Sequence, residues 1–219
     1  MKAVIFDMDG VLFDTESLCM KAWDYAGEKL GIGPAGYMVL KTLGVNAQTA
    51  IGILKKEFGE NFNAEKFKKI GRDFSYDYFE KHGMPMKKGV TDILDYLTNK
   101  KYKIALASST STKSVMHHLN DTKIKDYFDV IVCGDQVEQS KPEPDIYIKA
   151  AELLGLPPKA CYAVEDSKNG LLSAHRAGCQ VIMVPDLWQG DDETDSFILA
   201  KCSDLNEVIG VIHDTENEG

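Results

Sequence analysis

The sequence predicts an α/β fold in which a doubly wound, Rossmann-like parallel sheet carries an inserted α-helical domain. After residue 85, short apolar runs alternate with helical patterns, which is typical of parallel strands joined by crossover helices. Residues 3–7 form one more apolar run of the same kind. Between it and the next strand lie about seventy residues of helical pattern, far more than one crossover needs.

The strands are predicted from continuous apolar runs, as expected for strands buried on both faces of a sheet. The runs are AVIFD (3–7), KIALAS (103–108), DVIVCG (129–134), CYAVED (161–166) and QVIMVP (180–185). Helices are predicted among them at residues 90–100, 112–120, 144–154 and 168–177. Gly178 is the C-cap expected for the last helix, and the acidic tail HDTENEG is expected to fray.

The long insertion has helical patterns over residues 16–30, 47–58 and 64–82. We therefore expect a helical domain of residues 16–84 and an α/β core domain of residues 1–15 and 85–219. An inserted domain leaves and re-enters the sheet at neighbouring points. The two connecting segments, near Thr15 and from Met84 to Gly89, are therefore predicted to form a hinge.

The composition excludes several classes of protein. The chain has 219 residues, 44% of them apolar, and a formal net charge of −9, which disfavours binding to nucleic acid. No apolar run is long enough to span a membrane and no signal peptide is recognisable, so we expect a cytoplasmic protein. The scattered cysteines suggest neither a disulfide framework nor a zinc site, and they are interpreted as small core residues: Cys19, Cys133, Cys161, Cys179 and Cys202.

Asp7 and Asp9 stand at the end of the first predicted strand, directly before Gly10. One interpretation is a tight β-turn, because Asp and Gly both tolerate positive φ angles. The other is chemical: residues i and i+2 of a strand point to one face, so the two carboxylates would lie side by side. Like charges that close raise a pKa or attract a hard cation such as Mg²⁺.

Polar side chains also follow the other predicted strands. Each has an ordinary explanation as a helix cap, a solvated lysine or an acid at a helix N-terminus. Their occurrence at successive strand ends instead favours one shared site, because ligands of open parallel sheets bind at the carboxyl ends of the strands. The residues are Ser108, Ser109 and Thr110 after the second strand, Lys141 after the third, and Glu165 and Asp166 after the fourth.

These groups are the ones that phosphoryl transfer requires. A carboxylate can attack phosphorus if Mg²⁺ and a lysine cancel its repulsion from the anionic substrate. Hydroxyl and backbone N–H groups can hold the phosphoryl oxygens, and a second acid can protonate the leaving group.

The chain resembles the haloacid dehalogenase superfamily of phosphotransferases, in the branch with a helical cap after the first strand. The resemblance rests on FDMDGVLFDTE, ALASST, GDQVEQSKPEPDIY and VEDSKNGLLSAHRAG, which cover essentially the whole chain in order. It implies that Asp7 is the nucleophile and Asp9 the general acid/base. It also implies that Ser108, Ser109 and Lys141 bind the phosphoryl group, Lys141 as part of the catalytic set.

The same resemblance implies a Mg²⁺ cofactor. The expected ligands are the Asp7 carboxylate, the main-chain carbonyl of Asp9 and Asp166, with Glu165 close by. Dehalogenases of the superfamily lack the second acid, so Asp9 argues against carbon–halogen chemistry. The expected substrate is a small phosphorylated metabolite, and the expected assembly is a monomer or weak oligomer.

Two branches of the family are considered, small-molecule phosphatases and β-phosphoglucomutases. The mutase pattern places a histidine and an arginine in the cap where this chain has Cys19 and Ala47. Neither can hold a phosphate dianion, so a phosphatase is predicted and a mutase is the alternative. If the chain were a mutase, Arg72 or Lys69 would have to supply the missing cation.

Other cap residues are candidates for facing the substrate, although each could equally belong to a helix core or surface. They are Trp23, Asn46 and Gln48. A non-catalytic phospho-acceptor or interaction module is the alternative from another class. It is disfavoured because such domains carry no helical insertion and because no expected site group is missing here.

Overall fold

The structure is a computed structural model that describes residues 2–43, 45 and 47–217. Its centre is a parallel sheet with the strand order β3-β2-β1-β4-β5-β6. The strands are β1 (Ala3–Phe6), β2 (Lys103–Ser108), β3 (Val130–Cys133), β4 (Cys161–Glu165), β5 (Gln180–Met183) and β6 (Ala200–Lys201). The doubly wound α/β fold predicted from the sequence is therefore confirmed.

Helices cover both faces of this sheet and also form the segment between β1 and β2. In chain order they are α1 (Glu16–Leu30), α2 (Met38–Thr42), α3 (Ala47–Phe58), α4 (Ala64–His82), α5 (Val90–Asn99), α6 (Thr112–Asp121), α7 (Asp145–Leu154), α8 (Lys168–Ala177), α9 (Asp192–Asp195) and α10 (Leu205–Asn217). No helix among the described residues has both the length and the apolar character needed to cross a membrane.

The continuous apolar sequence of β1 reflects burial on both faces. Val4 and Phe6 belong to the hydrophobic core on one side of the sheet, whereas Ala3 and Ile5 belong to the core on the other. This division follows the period of two that strand geometry imposes. Since β1 pairs with β2 on one side and β4 on the other, its carboxyl end lies at the centre of the sheet edge.

Helices α1 to α4 pack around a third hydrophobic core, separate from those of the sheet. Trp23 of α1 and Phe67 of α4 meet edge to face, with ring centroids 5.2 Å apart. The chain leaves the sheet and returns to it along adjacent paths. Asp14 N donates to Pro85 O at 2.9 Å, and Lys87 N donates to Leu12 O at 2.9 Å.

Some sequence expectations are wrong in detail. A turn does form at residues 10–12, but it does not join two antiparallel strands, because within the described residues β1 pairs only with parallel strands. The sequence predicts a frayed tail over residues 213–219, but residues 213–217 continue α10, which Leu205, Val208 and Ile212 anchor in the core, and residues 218–219 lie outside the described part of the chain. The short elements α2, α9 and β6 are additional to the prediction, since two to five residues carry too little periodicity to be recognised.

Candidate active site

The carboxyl ends of the central strands bring the predicted polar residues together. Asp7 directly follows β1, Ser108 ends β2 and Glu165 ends β4, and each of the three is buried. The chain winds from β1 to β2 and β3 in one direction and then returns to β4 on the other side. This edge is therefore the switch point at which ligands of doubly wound sheets bind.

Lys141 lies buried beneath this edge, so it is not the solvated loop lysine that its loop position also allowed. Its ammonium donates to Asp7 Oδ1 at 2.6 Å, to Glu165 Oε1 at 2.5 Å and to Ala107 O at 3.0 Å. An ammonium has three N–H donors, so all of them are used. The ammonium is thereby held between the two carboxylates and is hydrogen-bonded to one oxygen of Asp7.

Glu165 is fully buried, and both of its oxygens accept hydrogen bonds. The Tyr147 hydroxyl donates to Oε1 at 2.8 Å, on the oxygen that Lys141 also contacts. Ser167 donates to Oε2 through its hydroxyl at 3.2 Å and its N–H at 3.4 Å. Gly170 gives this carboxylate its space, since a Cβ at that position would clash with it.

Three buried carboxylates meet at this point: those of Asp7, Glu165 and Asp166. One oxygen from each lies within 4.8 Å of the others. The only cation hydrogen-bonded to this cluster within the described residues is Lys141, so the negative charge exceeds the positive charge. Buried carboxylate oxygens with an excess of negative charge fit a hard divalent cation.

The local electrostatics agree with that assignment. Burial raises the pKa of Asp7, and the carboxylates of Glu165 and Asp9 raise it further, while Lys141 opposes them. Burial also raises the pKa of Asp166 well above its usual range, with Glu165 and Asp7 adding to the effect. Burial alone would lower the pKa of Lys141, but Asp7 and Glu165 outweigh it and hold that pKa above its ordinary value.

Asp9 lies nearer to solvent and is held by two threonines. Thr15 donates to Oδ1 at 2.8 Å and Thr110 donates to Oδ2 at 2.9 Å. The Thr110 N–H also donates to Ser108 Oγ at 3.1 Å. Asp9 is thus tied to the end of β2 and to the start of the helical insertion. The following Gly10 has φ of 83° and lies so close to Asp166 that a Cβ would clash with its Oδ2.

A cavity of about 410 Å³ opens above these carboxylates, between the sheet edge and the helical insertion. Of the predicted catalytic, phosphate-binding and metal-binding residues, Asp7, Asp9, Ser109 and Asp166 line its wall. Ser108, Lys141 and Glu165 lie buried behind that wall.

The insertion supplies the opposite wall of this cavity. Among the predicted cap residues, Cys19, Trp23, Ala47 and Arg72 line it. Gln48 and Lys69, both within the described part of the chain, do not. Asn46 lies outside the described residues.

Several lining or supporting residues were not predicted from the sequence. Glu16 lies at the start of α1, where burial and the charges of Asp9 and Asp186 raise its pKa to about 8. Lys68 of α4 and His118 of α6 also line the cavity. Only Lys68 had a partial signal: it stands four residues before Arg72 and so shares its helix face, but Lys69, three residues before Arg72, meets the same criterion.

The comparison with known families decides the assignment. A family model described as haloacid dehalogenase-like hydrolase matches residues 4–184. The chain belongs to that family. The resemblance inferred from the sequence motifs is thereby confirmed, and the protein is a haloacid dehalogenase-like hydrolase.

This haloacid dehalogenase-like hydrolase has relatives named both as phosphatases and as mutases. It is 35% identical to the phosphorylated carbohydrates phosphatase of Thermotoga maritima, over 83% of this chain and 84% of that protein. It is 29% identical to the β-phosphoglucomutase of Bacillus subtilis, over 81% of this chain and 80% of that one. A crystal structure described as a candidate β-phosphoglucomutase from Thermotoga maritima matches with a TM-score of 0.77 and 32% identity, covering 98% and 99% of the two chains.

Proposed function

We propose that the protein is a Mg²⁺-dependent phosphatase that hydrolyses a small phosphorylated carbohydrate through an aspartyl-phosphate. The observation that carries this proposal is the Asp7 carboxylate, which lines the cavity while Lys141 donates to its Oδ1 at 2.6 Å. A carboxylate held by a cation beside an open cavity has the arrangement of an activated nucleophile. The name of the Thermotoga maritima phosphatase supports the substrate class.

In the proposed first step, an Asp7 oxygen attacks the phosphorus of the substrate. A bond forms from Asp7 to phosphorus as the ester P–O bond breaks, and the departing oxygen takes a proton from Asp9. Thr15 and Thr110 orient Asp9 for this transfer through their hydrogen bonds. Lys141 offsets the negative charge that accumulates on Asp7 and the phosphoryl oxygens.

In the proposed second step, Asp9 accepts a proton from water as that water attacks the aspartyl-phosphate. The Asp7–phosphorus bond breaks, which releases inorganic phosphate and restores the carboxylate. Ser108 and Ser109 are proposed to hold the phosphoryl oxygens. The Oγ of Ser108 already accepts the Thr110 N–H, so its own O–H remains to donate.

Mg²⁺ would be held by Asp7, Asp166 and the main-chain carbonyl of Asp9, with Glu165 close by. The excess negative charge of the buried carboxylates supports this assignment. When bound, the ion would supply positive charge against the phosphoryl oxygens. Because both oxygens of Glu165 already accept hydrogen bonds, we propose that its main task is to position Lys141.

We also propose that residues 16–84 act as a cap over the core formed by residues 1–15 and 85–219. The separate core of α1 to α4 and the paired connecting segments near residues 14 and 85 support this division. Rotation about those segments would open and close the cavity to water.

Hydrolysis is favoured over the mutase reaction because the relative that is 35% identical is named a phosphatase and because Cys19 lines the cavity where the mutase pattern has a histidine. Burial raises the pKa of the Cys19 thiol, with Glu16 and Asp9 adding to the effect, so the group stays neutral.

The test is phosphate release from a panel of phosphorylated sugars and para-nitrophenyl phosphate with Mg²⁺. We expect turnover by the wild type and none by Asp7→Asn, and we expect the fold of the variant to survive because Asn is nearly isosteric with Asp. With β-glucose 1-phosphate and a trace of glucose 1,6-bisphosphate, inorganic phosphate should be the main product. Glucose 6-phosphate formed faster than phosphate would establish the mutase instead. Absence of turnover, with acetyl phosphate still labelling Asp7, would indicate a phospho-acceptor module.

A further inference from the structure

Two cationic side chains, Lys68 and Arg72, line the end of the cavity that helix α4 forms. They stand four residues apart, so they share one face of the helix and lie near each other. At the opposite end the cavity is acidic, with Asp7, Asp9 and Asp166 in its wall. The cavity is therefore polarised along the direction from the sheet edge to α4.

Few groups of the protein offset the positive charges of Lys68 and Arg72. The one hydrogen bond that Lys68 makes to described residues goes from Nζ to the Ala47 carbonyl at 3.4 Å. The Arg72 guanidinium has no hydrogen bond or ion pair within the described part of the chain. Burial lowers the pKa of Lys68 and the nearby Arg72 charge lowers it further, whereas the Glu65 carboxylate opposes this.

The next lysine on the same helix is, by contrast, paired with a carboxylate. Lys69 is exposed, as Arg72 is, but it lies outside the cavity wall and donates to Asp73 Oδ2 at 2.6 Å. Lys41, elsewhere in the insertion, is likewise paired with Glu57 at 2.8 Å. Two adjacent cations without such partners, facing a cavity, form a ready anion-binding site once an anion supplies the missing charge.

We propose, resting on the function above, that the substrate carries a second anionic group, a carboxylate or a second phosphoryl group, which Lys68 and Arg72 bind. The scissile phosphoryl group would lie at the acidic end, where Lys141 and a bound divalent cation would offset its charge. A second anion there would meet Asp9 and Glu16, so it belongs at the α4 end. The substrate class is therefore a doubly anionic phosphorylated carbohydrate rather than a neutral sugar monophosphate.

The test compares kcat/KM for substrates that differ by one anionic group. The pairs are 6-phosphogluconate against glucose 6-phosphate, which tests a carboxylate, and fructose 1,6-bisphosphate against fructose 6-phosphate, which tests a phosphoryl group. We expect at least one doubly anionic substrate to be preferred by about tenfold or more, the usual effect of a charged hydrogen bond. The preference should fall by a similar factor in Lys68→Met and in Arg72→Met.

The matched control is Lys69→Met, which removes a lysine from the same helix but not from the cavity. Its preference should equal that of the wild type. The proposal would be overturned if the wild-type ratio of kcat/KM, doubly anionic over singly anionic substrate, were no larger than two, the factor expected merely because a bisphosphate has two phosphoryl groups. It would also be overturned if Lys69→Met lost as much of this preference as the cavity variants.

A binding measurement separates this proposal from the proposed function. Titration calorimetry with Mg²⁺ measures binding to the inactive variant Asp7→Asn. We expect it to bind the doubly anionic compound about tenfold more tightly than the singly anionic compound of the same pair. Adding Lys68→Met to Asp7→Asn should abolish that difference. If nothing is hydrolysed but this difference is found, the phosphatase assignment fails and the anion site stands. If the substrate is hydrolysed but no such difference in binding is found, the phosphatase assignment stands and the anion site is overturned.

Discussion

Lys141 Nζ lies 2.6 Å from Asp7 Oδ1 in an ion pair that is almost entirely buried. The second bond of this ammonium, to Glu165 Oε1 at 2.5 Å, makes it the shared counterion of two carboxylates. Breaking a buried ion pair from one side is costly because the remaining charge has no partner and no water. The residue proposed to assist catalysis is therefore also a stabilising element of the core.

We expect Lys141→Met to lower the free energy of unfolding by about 3 to 5 kcal/mol. Urea denaturation at pH 8 without divalent metal measures this change. The control is Lys88→Met, which removes an equally short but exposed ion pair, Lys88 with Asp204 at 2.6 Å. Little change is expected there because solvent and salt screen surface pairs. Equal losses in both variants would contradict the importance of burial.

Replacement of Asp9 by Asn should slow turnover by about 10² to 10⁴, the usual contribution of positioned acid/base catalysis. Asn retains an oxygen that Thr15 or Thr110 can contact, so the fold and binding of inorganic phosphate should be preserved. Steady-state kinetics with a sugar phosphate and a phosphate-binding measurement check both parts. A rate equal to that of the wild type would remove Asp9 from the proton-transfer role.

Mg²⁺ should raise the melting temperature of the wild type, because the ion is proposed to bind only the assembled carboxylate cluster and to relieve its repulsion. In Asp166→Asn that increase should be much smaller. Thermal denaturation at several Mg²⁺ concentrations tests this, with Asp135→Asn as a control carboxylate outside the cluster. The same shift in Asp166→Asn and the wild type would place the binding site elsewhere.

Gly10→Ala should damage the proposed metal site, since its Cβ would clash with Asp166 Oδ2. We expect turnover to fall by about tenfold or more, the range seen when the support of a metal ligand is lost. The control is Gly31→Ala: Gly31 has a similar φ of 76°, but a Cβ added there would meet no atom within 4 Å. The free energy of unfolding of that variant should fall by only about 1 to 2 kcal/mol, because of backbone strain, and its turnover should be unchanged. Similar turnover of the two variants would argue against the clash.

His118 predicts a pH effect on stability. Burial lowers the pKa of His118 below its ordinary value of 6.5, and His117 acts in the same direction while Asp9 and Asp121 oppose it. The folded protein therefore takes up this proton less readily than the unfolded chain. Stability from this residue is present above pH 6.5 and is lost as the pH falls from there towards the folded pKa.

In His118→Phe, which keeps a ring against Phe13 and Phe79, that part of the acid destabilisation should disappear. Unfolding free energies of the two proteins, measured with Mg²⁺ between about pH 7.5 and 5.5, give the difference. His117→Gln, which retains His118, should keep the loss. Parallel pH profiles for wild type and His118→Phe would contradict the assignment.

The residues that could be predicted from sequence are those whose position follows from strand periodicity. Asp7, Ser108 and Glu165 stand at the ends of apolar runs, and parallel strands necessarily bring such ends to one edge. Tyr147 could not be found this way, because its helix pattern is that of an ordinary core aromatic. Only the folded chain shows that its hydroxyl reaches Glu165.

The same limit explains the residues missed in the insertion. Whether Lys68 or Lys69 faces the cavity depends on how α4 rotates against α1, and one helical position separates a paired surface lysine from a lining one. His118, which lies on α6 outside the insertion, was missed because its burial depends on contact with Phe79 of α4, about forty residues earlier in the chain. Packing between elements decides such contacts, and periodicity within one element does not contain that information.

The separation of the three hydrophobic cores affects how the sequence of such a protein can evolve. The reacting groups rest on the two cores that flank the sheet, whereas the distal wall of the cavity rests on the third. Substitutions on the inner face of α4 can therefore alter what is accepted without disturbing the packing beneath Asp7 and Lys141. Reaction chemistry and selectivity are free to evolve at different rates, and an engineer could diversify α4 alone.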